Sequence, residues 1–190
     1  MLEVVPALLG ATLTHDTDDG RVVVQLTEVE AYDGQDDPAS HAYRGPTPRN
    51  EVRFGPAGHL YVYFSYGMHW CCNVVTGTPG RASAVLLRAG RVLEGGDLAR
   101  VRRGERTADR SLARGPACLA QALGIDKAHN GVDLLAGGRL RLEEGKPVDP
   151  ADVSRGPRVG VSLGHDVPWR FWVDGDETVS AYKRSPRAVD

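Results

Sequence analysis

Lysine is nearly absent from this chain. Among 190 residues there are three lysines, at Lys127, Lys146 and Lys183, whereas 20 of the 23 basic side chains are arginines. Enzymes that work through a Schiff base use a lysine amine as the nucleophile. A site built from the residues before Lys127 therefore cannot use that chemistry.

Cysteines and long hydrophobic runs are also scarce. Cys71, Cys72 and Cys118 make an odd count with two adjacent members, which is a poor basis for disulfides and indicates a reducing compartment. No stretch approaches the roughly 18 apolar residues of a membrane-spanning helix. The start of the chain contains an acid, Glu3, and lacks the basic region of a signal peptide. We therefore expect a cytoplasmic protein without a membrane partner, associated with the nucleoid if the source is bacterial.

The net charge of −2 does not by itself suggest a nucleic-acid-binding protein, but the charge is unevenly distributed. Residues 1–50 contain three basic and nine acidic side chains, whereas residues 81–114 contain nine arginines and four acids. A basic segment of this kind is usually a solvated helix or loop, although it can also contact nucleic acid. Charge alone favours the first interpretation and leaves the second open.

The first half of the chain predicts strands separated by loops. Residues 21–32 are rich in β-branched side chains and partly alternate, as a half-buried strand does. By the period of two, one face of this strand carries Leu26, Glu28, Glu30 and Tyr32. The polar segment 33–50 contains three prolines and predicts a long loop. Runs at 60–65 and 70–75 flank Tyr66, Gly67 and Met68, and predict a β-hairpin.

The second half adds few helices. A buried strand is predicted at 82–89, a short helix at about 93–103, and strands at 138–142, 159–163 and 169–173. A further helix is predicted to begin near Pro116 and to end at Gly124. Since strands and helices do not alternate as βαβ units, the sequence predicts an α+β fold with a largely antiparallel sheet.

Two common enzyme patterns explain the sequence poorly. Residues 160–164 read GVSLG and match the nucleophile elbow of serine hydrolases. The only later histidine is the adjacent His165, so we interpret the string as a strand leading into a glycine turn. A metal site could draw on Glu30, His41, His59 and His69, but these residues have no compact ligand spacing, and scattered surface histidines are the favoured interpretation.

Aromatic side chains are concentrated around Glu30. The set consists of Tyr32, His41, Tyr61, Tyr63, Tyr66, His69 and Trp70. A sheet core with tyrosines at its rim would explain them. They would equally suit a base taken out of the DNA stack, because a flipped base is held between aromatic faces and a wedge fills the gap. Tyr66 and Met68 at the hairpin tip could supply the wedge, and one carboxylate could activate water.

Seven motifs occur in a specific order along the chain. They are LLG at 8–10, EVEAYDG at 28–34, HAYRGPTPRN at 41–50, GHLYVYFSYGMHWCCN at 58–73, AVLLRA at 84–89, GPACLAQALGI at 115–125 and PRVGV at 157–161. In this order and spacing they resemble the 3-methyladenine (alkyladenine) DNA glycosylase family. The resemblance implies a single catalytic domain over residues 1–190, with a curved sheet, a protruding β-hairpin and a few flanking helices.

The resemblance also implies catalytic roles. Glu30 would deprotonate and position the attacking water, which agrees with the chemistry, because an anion stabilises an oxocarbenium-like sugar and an activated water traps it. The strand pattern does not separate Glu30 from Glu28, and the family pattern selects Glu30. Arg88 would help to hold the water and the neighbouring phosphate. The backbone carbonyl of Val159 would be a further water contact.

Four residues would form the base pocket by the same resemblance. Tyr32 and His41 would line one side of the flipped base, and Tyr63 the other. Asn73 would disfavour guanine by crowding its exocyclic amine. The loop at 42–46 is one residue shorter, and the segment 76–82 about two residues longer, than in vertebrate-type members. These differences bear on the range of lesions more than on the reaction.

Three residues are expected to contact DNA. Tyr66 would enter the minor groove, Met68 would lie beside it at the hairpin tip, and Arg49 in the TPRN motif would contact the nucleic acid. The expected partner is double-stranded DNA containing a damaged purine, and the enzyme is expected to be a monomer.

The implied activity is base-excision repair. A monofunctional DNA glycosylase would flip an alkylated or deaminated purine, such as 3-methyladenine, hypoxanthine or ethenoadenine, and hydrolyse its N-glycosidic bond with a Glu-activated water. A cationic alkylated purine leaves readily, whereas a neutral purine needs protonation. No metal and no organic cofactor is implied. A non-catalytic sensor of damaged DNA and a metal-dependent hydrolase are the alternatives.

Overall fold

The computed structural model describes residues 1–65 and 67–188. In that part of the chain the α-helices are α1 (Val4–Ala7), α2 (Gly96–Arg103) and α3 (Pro116–Leu123). The strands are β1 (Thr12–Thr17), β2 (Gly20–Tyr32), β3 (Leu60–Ser65), β4 (His69–Val75), β5 (Ala84–Glu94), β6 (Leu140–Glu143), β7 (Val153–Gly156) and β8 (Arg170–Val173). Within the described ranges no helix has the length and apolar character needed to cross a membrane.

These strands form one antiparallel sheet around β2. The order is β3-β4-β5-β2-β1-β6, with β8 paired to β2 and β7 paired to β8. β5 runs along one edge of β2, while β1 and then β8 occupy the other edge. The twist that accumulates over such long strands curls the sheet. The predicted α+β fold, with a largely antiparallel curved sheet and a few flanking helices, is confirmed.

The helix α3 lies across β4 and β5, and α2 packs against α3. α3 buries Leu119, Ala120, Ala122 and Leu123 in the hydrophobic core. It begins at Pro116, whose missing N–H is tolerated in the first turn, and it ends before Gly124, which has a φ of 71°. Both boundaries agree with the prediction. α3 covers one face of β5, and the opposite face of β5 borders the site described below.

The predicted hairpin is formed by β3 and β4 at one edge of the sheet. β3 spans the predicted residues, and β4 begins one residue earlier than predicted, at His69. Gly67 has a φ of 67°, and Met68 is 67% exposed, so the tip extends into solvent. The predicted wedge residue Tyr66 lies outside the described residues.

The segment 33–50 is the loop that the sequence predicts, with one 3-10 turn at Gly34–Asp36. Buried Asn50 holds it together: its amide donates to the carbonyls of His41 at 2.9 Å and Gly45 at 3.1 Å, and its oxygen accepts from the Thr47 N–H. The loop is therefore ordered by its own hydrogen bonds, which fixes the backbone at His41.

Several element predictions need correction. The strand predicted at 82–89 begins at Ala84 and continues to Glu94, so α2 begins at Gly96 and not at about residue 93. The strand predicted at 159–163 is wrong, because Gly160 and Gly164 adopt φ values of 72° and 56°, which belong to turns and not to extended backbone. The sequence analysis missed α1, β1 and β7, all of which are short.

The alternation of β2 changes in the middle of the strand. Before this point the core contains Val22, Val24 and Leu26, and after it the core contains Val29 and Ala31. The register against β5 is irregular between Leu26 and Val29. Glu28 and Glu30 consequently do not share the core-facing position of Leu26, as a regular strand would require. The prediction that placed Leu26 on their face is wrong.

Candidate active site

Glu28 is a fully buried carboxylate with four hydrogen-bond donors. Its Oε1 accepts from Arg88 Nε and Arg170 Nε, both at 2.7 Å, and from the Ser180 hydroxyl at 2.9 Å. Its Oε2 accepts from the Ser180 N–H at 2.7 Å. Burial alone would raise the pKa of Glu28, but the two guanidinium groups lower it overall. Glu28 is therefore an ionised anchor between β2, β5 and β8 at physiological pH.

Glu30 lies two residues further along β2 and is also fully buried. The Val159 N–H donates to its Oε1 at 2.7 Å, and the Tyr32 hydroxyl donates to its Oε2 at 2.9 Å. Each carboxylate oxygen can accept two hydrogen bonds, so these donors leave unused acceptor capacity. Glu30 thus differs from Glu28 in the feature that the sequence could not reveal, namely how many of its lone pairs are already engaged.

Arg88 connects the two carboxylates. Besides its bond to Glu28, its Nη1 lies 3.3 Å from Oε1 of Glu30, and its Nη2 donates to the Ser180 hydroxyl at 3.1 Å. Burial alone would lower the pKa of Arg88, but Glu30 and Glu28 raise it overall, so it remains a cation. A change at Arg88 would therefore disturb both carboxylates.

A second buried ion pair fixes the loop above Glu30. Arg158 binds Asp37 with both terminal nitrogens and donates to the carbonyl of Ala31 at 3.0 Å. Its guanidinium also lies 4.7 Å from the ring centre of Tyr32 and 5.2 Å from that of Trp169. Arg158 therefore ties the segment 33–50 to β2 and supports the ring of Tyr32 from one side.

A pocket of about 440 Å³ opens beside these groups. The predicted residues that line it are Tyr32, His41, Arg49, Tyr63, Asn73, Arg88 and Val159. Glu30 does not reach the pocket surface itself, but the three groups that contact its carboxylate do. The structure thus brings the predicted catalytic and base-binding residues together at one place, with Glu30 directly beneath it.

On the side of the pocket that the segment 33–50 and β3 make, the wall consists of aromatic rings. The ring of His41 meets that of Tyr63 edge-on at 4.6 Å, and Tyr63 stacks on Tyr61 at 5.6 Å with an interplanar angle of 21°. Although His41 is exposed at the open pocket, desolvation by the surrounding protein, followed by the charges of Arg53 and Arg49, lowers its pKa to about 4. His41 is therefore neutral at physiological pH and presents an uncharged aromatic face.

The phenols of this pocket are also held neutral. Burial raises the pKa of Tyr32 well above its ordinary value, and Glu30 adds to this effect. Burial likewise raises the pKa of Tyr63, with Cys71 contributing next. Tyr32 therefore remains a hydrogen-bond donor to Glu30 over the whole physiological range.

Asn73 lies on β4 and is nearly fully buried. Its amide nitrogen lies 3.5 Å from the carbonyl of Tyr61 on the neighbouring strand, which orients the side chain into the pocket wall. The residue therefore stands where a polar group could meet the edge of a bound ring. Its predicted role against guanine remains a prediction.

The residues expected to contact DNA lie around the mouth of the pocket. Arg49 is exposed and donates to the carbonyl of Phe64 at 3.0 Å, so it links the loop to the hairpin. Met68 is at the exposed tip of that hairpin. These placements are compatible with a nucleic-acid surface, and the contacts themselves remain predictions.

Sequence reasoning missed several supporting residues. Arg170, Ser180, Asp37 and Arg158 orient the carboxylates and the loop, and each is separated from its partner by more than 100 residues. Arg53 was also missed, although it lines the pocket. A cluster of buried charges has no periodic signature, and the only signal was the unusual retention of arginines within apolar segments.

The alternative metal site does not assemble. Among the described residues, no group of three or more His, Cys, Asp and Glu side chains is arranged to hold a metal ion. Glu30, His41, His59 and His69 therefore do not converge as a ligand set. The polar and aromatic side chains of the pocket wall are instead mainly tyrosines, His41, arginines and the amide of Asn73, above the carboxylate of Glu30.

Comparison with known proteins identifies the chain. Residues 1–177 match the family model described as methylpurine-DNA glycosylase. A relative from Streptomyces avermitilis is 56% identical over 98% of this chain and 90% of its own length. Relatives from Nocardia farcinica and Cutibacterium acnes are 54% and 50% identical, over 95% and 94% of this chain and 86% and 94% of their own lengths. All three are named "Putative 3-methyladenine DNA glycosylase".

The fold, the site and these matches together define a DNA glycosylase, an enzyme of DNA repair. The chain belongs to the methylpurine-DNA glycosylase family. The resemblance stated from its motifs is therefore confirmed.

Proposed function

We propose that this enzyme excises alkylated or deaminated purines from double-stranded DNA by hydrolysing the N-glycosidic bond with a water activated by Glu30. The observation that carries the proposal is the position of Glu30, whose carboxylate is held by Arg88, Tyr32 and the Val159 N–H beneath an aromatic pocket. A carboxylate fixed in this way needs little reorganisation when positive charge develops on the sugar.

In the proposed reaction, water attacks the anomeric carbon of the flipped nucleotide. The water would enter between Arg88, Tyr32 and Val159, the groups that cover Glu30, and Glu30 would accept its proton through the lone pair that these groups leave free. The negative charge of Glu30 would stabilise the oxocarbenium-like transition state. The bond from the anomeric carbon to the base nitrogen breaks, and its electron pair leaves with the base. Arg88 orients Glu30 and lies on the pocket surface, where it can also contact the water and a phosphate.

The pocket would take a single base out of the duplex. Its volume of about 440 Å³ lies within the range of sites that hold small organic ligands. We propose that the base stacks between Tyr32 on one face and Tyr63 on the other, since base recognition outside the helix relies on such stacking. The ring of His41 is in contact with that of Tyr63, so His41 would lie on the side of Tyr63 and not, as the sequence predicted, on that of Tyr32. Asn73 would then meet the base edge and crowd the exocyclic amine of guanine.

The charge of the damaged base determines whether the departing base must also be protonated. A purine alkylated at a ring nitrogen is already cationic and leaves as a neutral base. Hypoxanthine or ethenoadenine must gain a proton from solvent or a second acid as it departs. The product would be an intact strand with an abasic site, because none of the three lysines is among the residues that line the pocket, where a Schiff base would have to form.

The hairpin tip and Arg49 would contact the DNA around the flipped base. Met68 at the exposed tip, together with Tyr66, would fill the gap that the base leaves, and Arg49 would contact the strand beside the pocket mouth. We propose that the enzyme acts as a monomer and that residues 1–190 form a single catalytic domain.

The proposal is tested with duplex oligonucleotides that contain hypoxanthine, ethenoadenine or 3-methyladenine, followed by alkaline cleavage of abasic sites. The wild-type protein is expected to release the damaged base, and Glu30→Gln is expected to lose this activity while retaining its fold. Glu94→Gln, a change at an exposed acid on β5, is the control. Full activity in Glu30→Gln would contradict the role of Glu30.

The same assay separates the alternatives. A sensor of damaged DNA would bind lesion-containing duplexes more tightly than undamaged ones and would produce no abasic sites. A metal-dependent hydrolase would lose activity in EDTA and regain it with added metal. Membership of the methylpurine-DNA glycosylase family favours the glycosylase over both.

A further inference from the structure

One arginine of the pocket is not explained by the mechanism. Arg53 lies in the 3-10 helix Glu51–Phe54, is only 2% exposed and lines the pocket. Its Nε and Nη2 are buried and have no hydrogen-bond partner among the residues that the structure describes. Its guanidinium lies 5.6 Å from the centre of the Tyr61 ring. Two nitrogens of a buried cation, with three N–H groups between them, are therefore left without an acceptor.

Such an arrangement is costly for the fold. Buried polar groups are nearly always hydrogen-bonded, and a buried charge without a partner destabilises the folded state. Burial accordingly lowers the pKa of Arg53. A group that weakens the fold and faces a pocket is commonly retained for function.

The charges around Arg53 show that it differs from the other buried arginines. Arg88 and Arg170 are matched by Glu28 and Glu30, and Arg158 is matched by Asp37. Within residues 1–65 and 67–188, no carboxylate forms an ion pair with Arg53. Arg53 is thus a buried positive charge in the pocket wall that no carboxylate compensates, and its free donors require an acceptor.

We propose that Arg53 determines specificity by donating hydrogen bonds to an acceptor oxygen on the edge of the flipped base, so that the enzyme favours neutral 6-oxopurines over cationic alkylated purines. This inference rests on the proposed function. A guanidinium offers donors and no acceptor, so it recognises a keto oxygen and cannot recognise an exocyclic amino group. A base that carries a positive charge would also be repelled.

The position of Arg53 fits the edge of a base better than a phosphate. It contacts Tyr61, whose hydroxyl lies 3.4 Å from His41 and whose carbonyl faces Asn73. Those two neighbours are the residues proposed to lie on the Tyr63 side of the base and to meet its edge. Because Arg53 is almost completely buried, the strand backbone outside the pocket cannot easily reach it.

The test compares three substrates whose damaged bases differ in charge and in the presence of the 6-keto oxygen. The substrates are duplexes with hypoxanthine, duplexes with unsubstituted purine, and methylated DNA, in which 3-methyladenine is cationic until it is released. Arg53→Met keeps the length of the side chain without its donors or charge. It is expected to slow hypoxanthine excision by roughly tenfold or more, the effect of losing hydrogen bonds to a charged group. Excision of purine should change less than about twofold, and that of 3-methyladenine should be equal or faster.

The matched control is Arg139→Met, which alters an exposed arginine at the opposite edge of the sheet from the hairpin. It should change none of the three rates. An equal decrease on all substrates with Arg53→Met would overturn the inference, because it would indicate a structural role or a phosphate contact. An unchanged preference for hypoxanthine would overturn it as well.

Two further measurements keep the inference separate from the proposed function. Binding of free hypoxanthine and free purine, followed by intrinsic fluorescence, does not require turnover; the wild type should prefer hypoxanthine, and Arg53→Met should lose that preference. Absence of excision with this preference intact would contradict only the proposed function. The melting temperature of Arg53→Met should rise by about 2 °C or more, because an unpaired buried charge is removed, and a decrease would indicate a structural role.

Discussion

The hydroxyl of Tyr32 donates a hydrogen bond of 2.9 Å to the carboxylate of Glu30, two residues earlier on the same strand. The two side chains therefore stand on one face of β2, and the donor orients the acceptor. Since the phenol is buried and its pKa is raised well above the ordinary value, this bond persists at every pH at which the enzyme would work.

Tyr32→Phe removes this donor and keeps the ring. We expect the single-turnover rate of base excision to decrease by about tenfold, the effect of losing one hydrogen bond to a charged group, while the affinity for lesion-containing DNA changes little. Rapid-quench kinetics with excess enzyme and a binding titration measure the two quantities. Weaker binding with an unchanged rate would show that Tyr32 acts only on the base.

Glu28→Gln should damage the fold more than Glu30→Gln. Loss of the Glu28 charge leaves Arg88 and Arg170 buried without their main counter-charge, and breaking a buried ion pair costs about 3–5 kcal/mol. Urea unfolding followed by tryptophan fluorescence measures both variants against the wild type. Equal stabilities of the two variants would contradict the structural assignment of Glu28.

The lowered pKa of Glu28 predicts how the free energy of unfolding depends on pH in acid. Because its pKa is lower in the folded than in the unfolded chain, its stabilisation is present above the ordinary value of 4.5 and is lost as the pH falls through the lowered value. The free energy of unfolding should therefore decrease as the pH is lowered below about 4.5. In Glu28→Gln this part of the pH dependence should be absent, which denaturation curves at several pH values would reveal.

Asp37→Asn should loosen the loop that carries His41. Arg158 loses the charge that matches its own, and the buried contact between the loop and β2 weakens. Trypsin is expected to cleave faster after the exposed Arg44, and base excision should decrease even though Glu30 is unchanged. Peptide mapping over a time course measures the cleavage, and Asp36→Asn, at the exposed neighbour, is the control. Unchanged cleavage would mean that the other loop bonds suffice.

Met68→Ala tests the hairpin tip. Its side chain is largely exposed, so the free energy of unfolding should not change by more than about 0.5 kcal/mol. If the tip fills the gap in the base stack, excision from duplex DNA should slow more than excision of the same lesion from a single strand, where no gap needs filling. Equal effects on both substrates would exclude this role.

Much of the fold could be predicted from local patterns. The hairpin followed from two aromatic and β-branched runs around Gly67, and α3 followed from Pro116 and Gly124 at its ends. The four residues of β7 are too few to show a period, and β1 has one large apolar side chain, Leu13, among its six residues. Residues 159–163 have the composition of a strand, but their positive-φ glycines make turns, and only the structure shows which backbone conformation those glycines adopt.

The site was predictable only in its types of residue. Motif order brought Glu30, Arg88 and the aromatic residues into one hypothesis, and the structure places them around one pocket. The distinction between Glu28 and Glu30 depends on Arg170 and Ser180, which are distant in sequence. Arg53 escaped notice because an arginine in a loop segment looks like a surface residue, and its burial depends on how the loop folds back on β3.

Arg88 contacts Glu28 and Glu30 at the same time, and this double contact limits which changes the position can tolerate. One side chain serves both the integrity of the sheet and the alignment of the reacting carboxylate, so selection for either property acts on the same position. Adaptation to new lesions has little freedom on that side of the pocket. Among the described residues, His41, Arg53 and Met68 form no ion pair with Glu28 or Glu30, so a change in substrate range is more readily accommodated there.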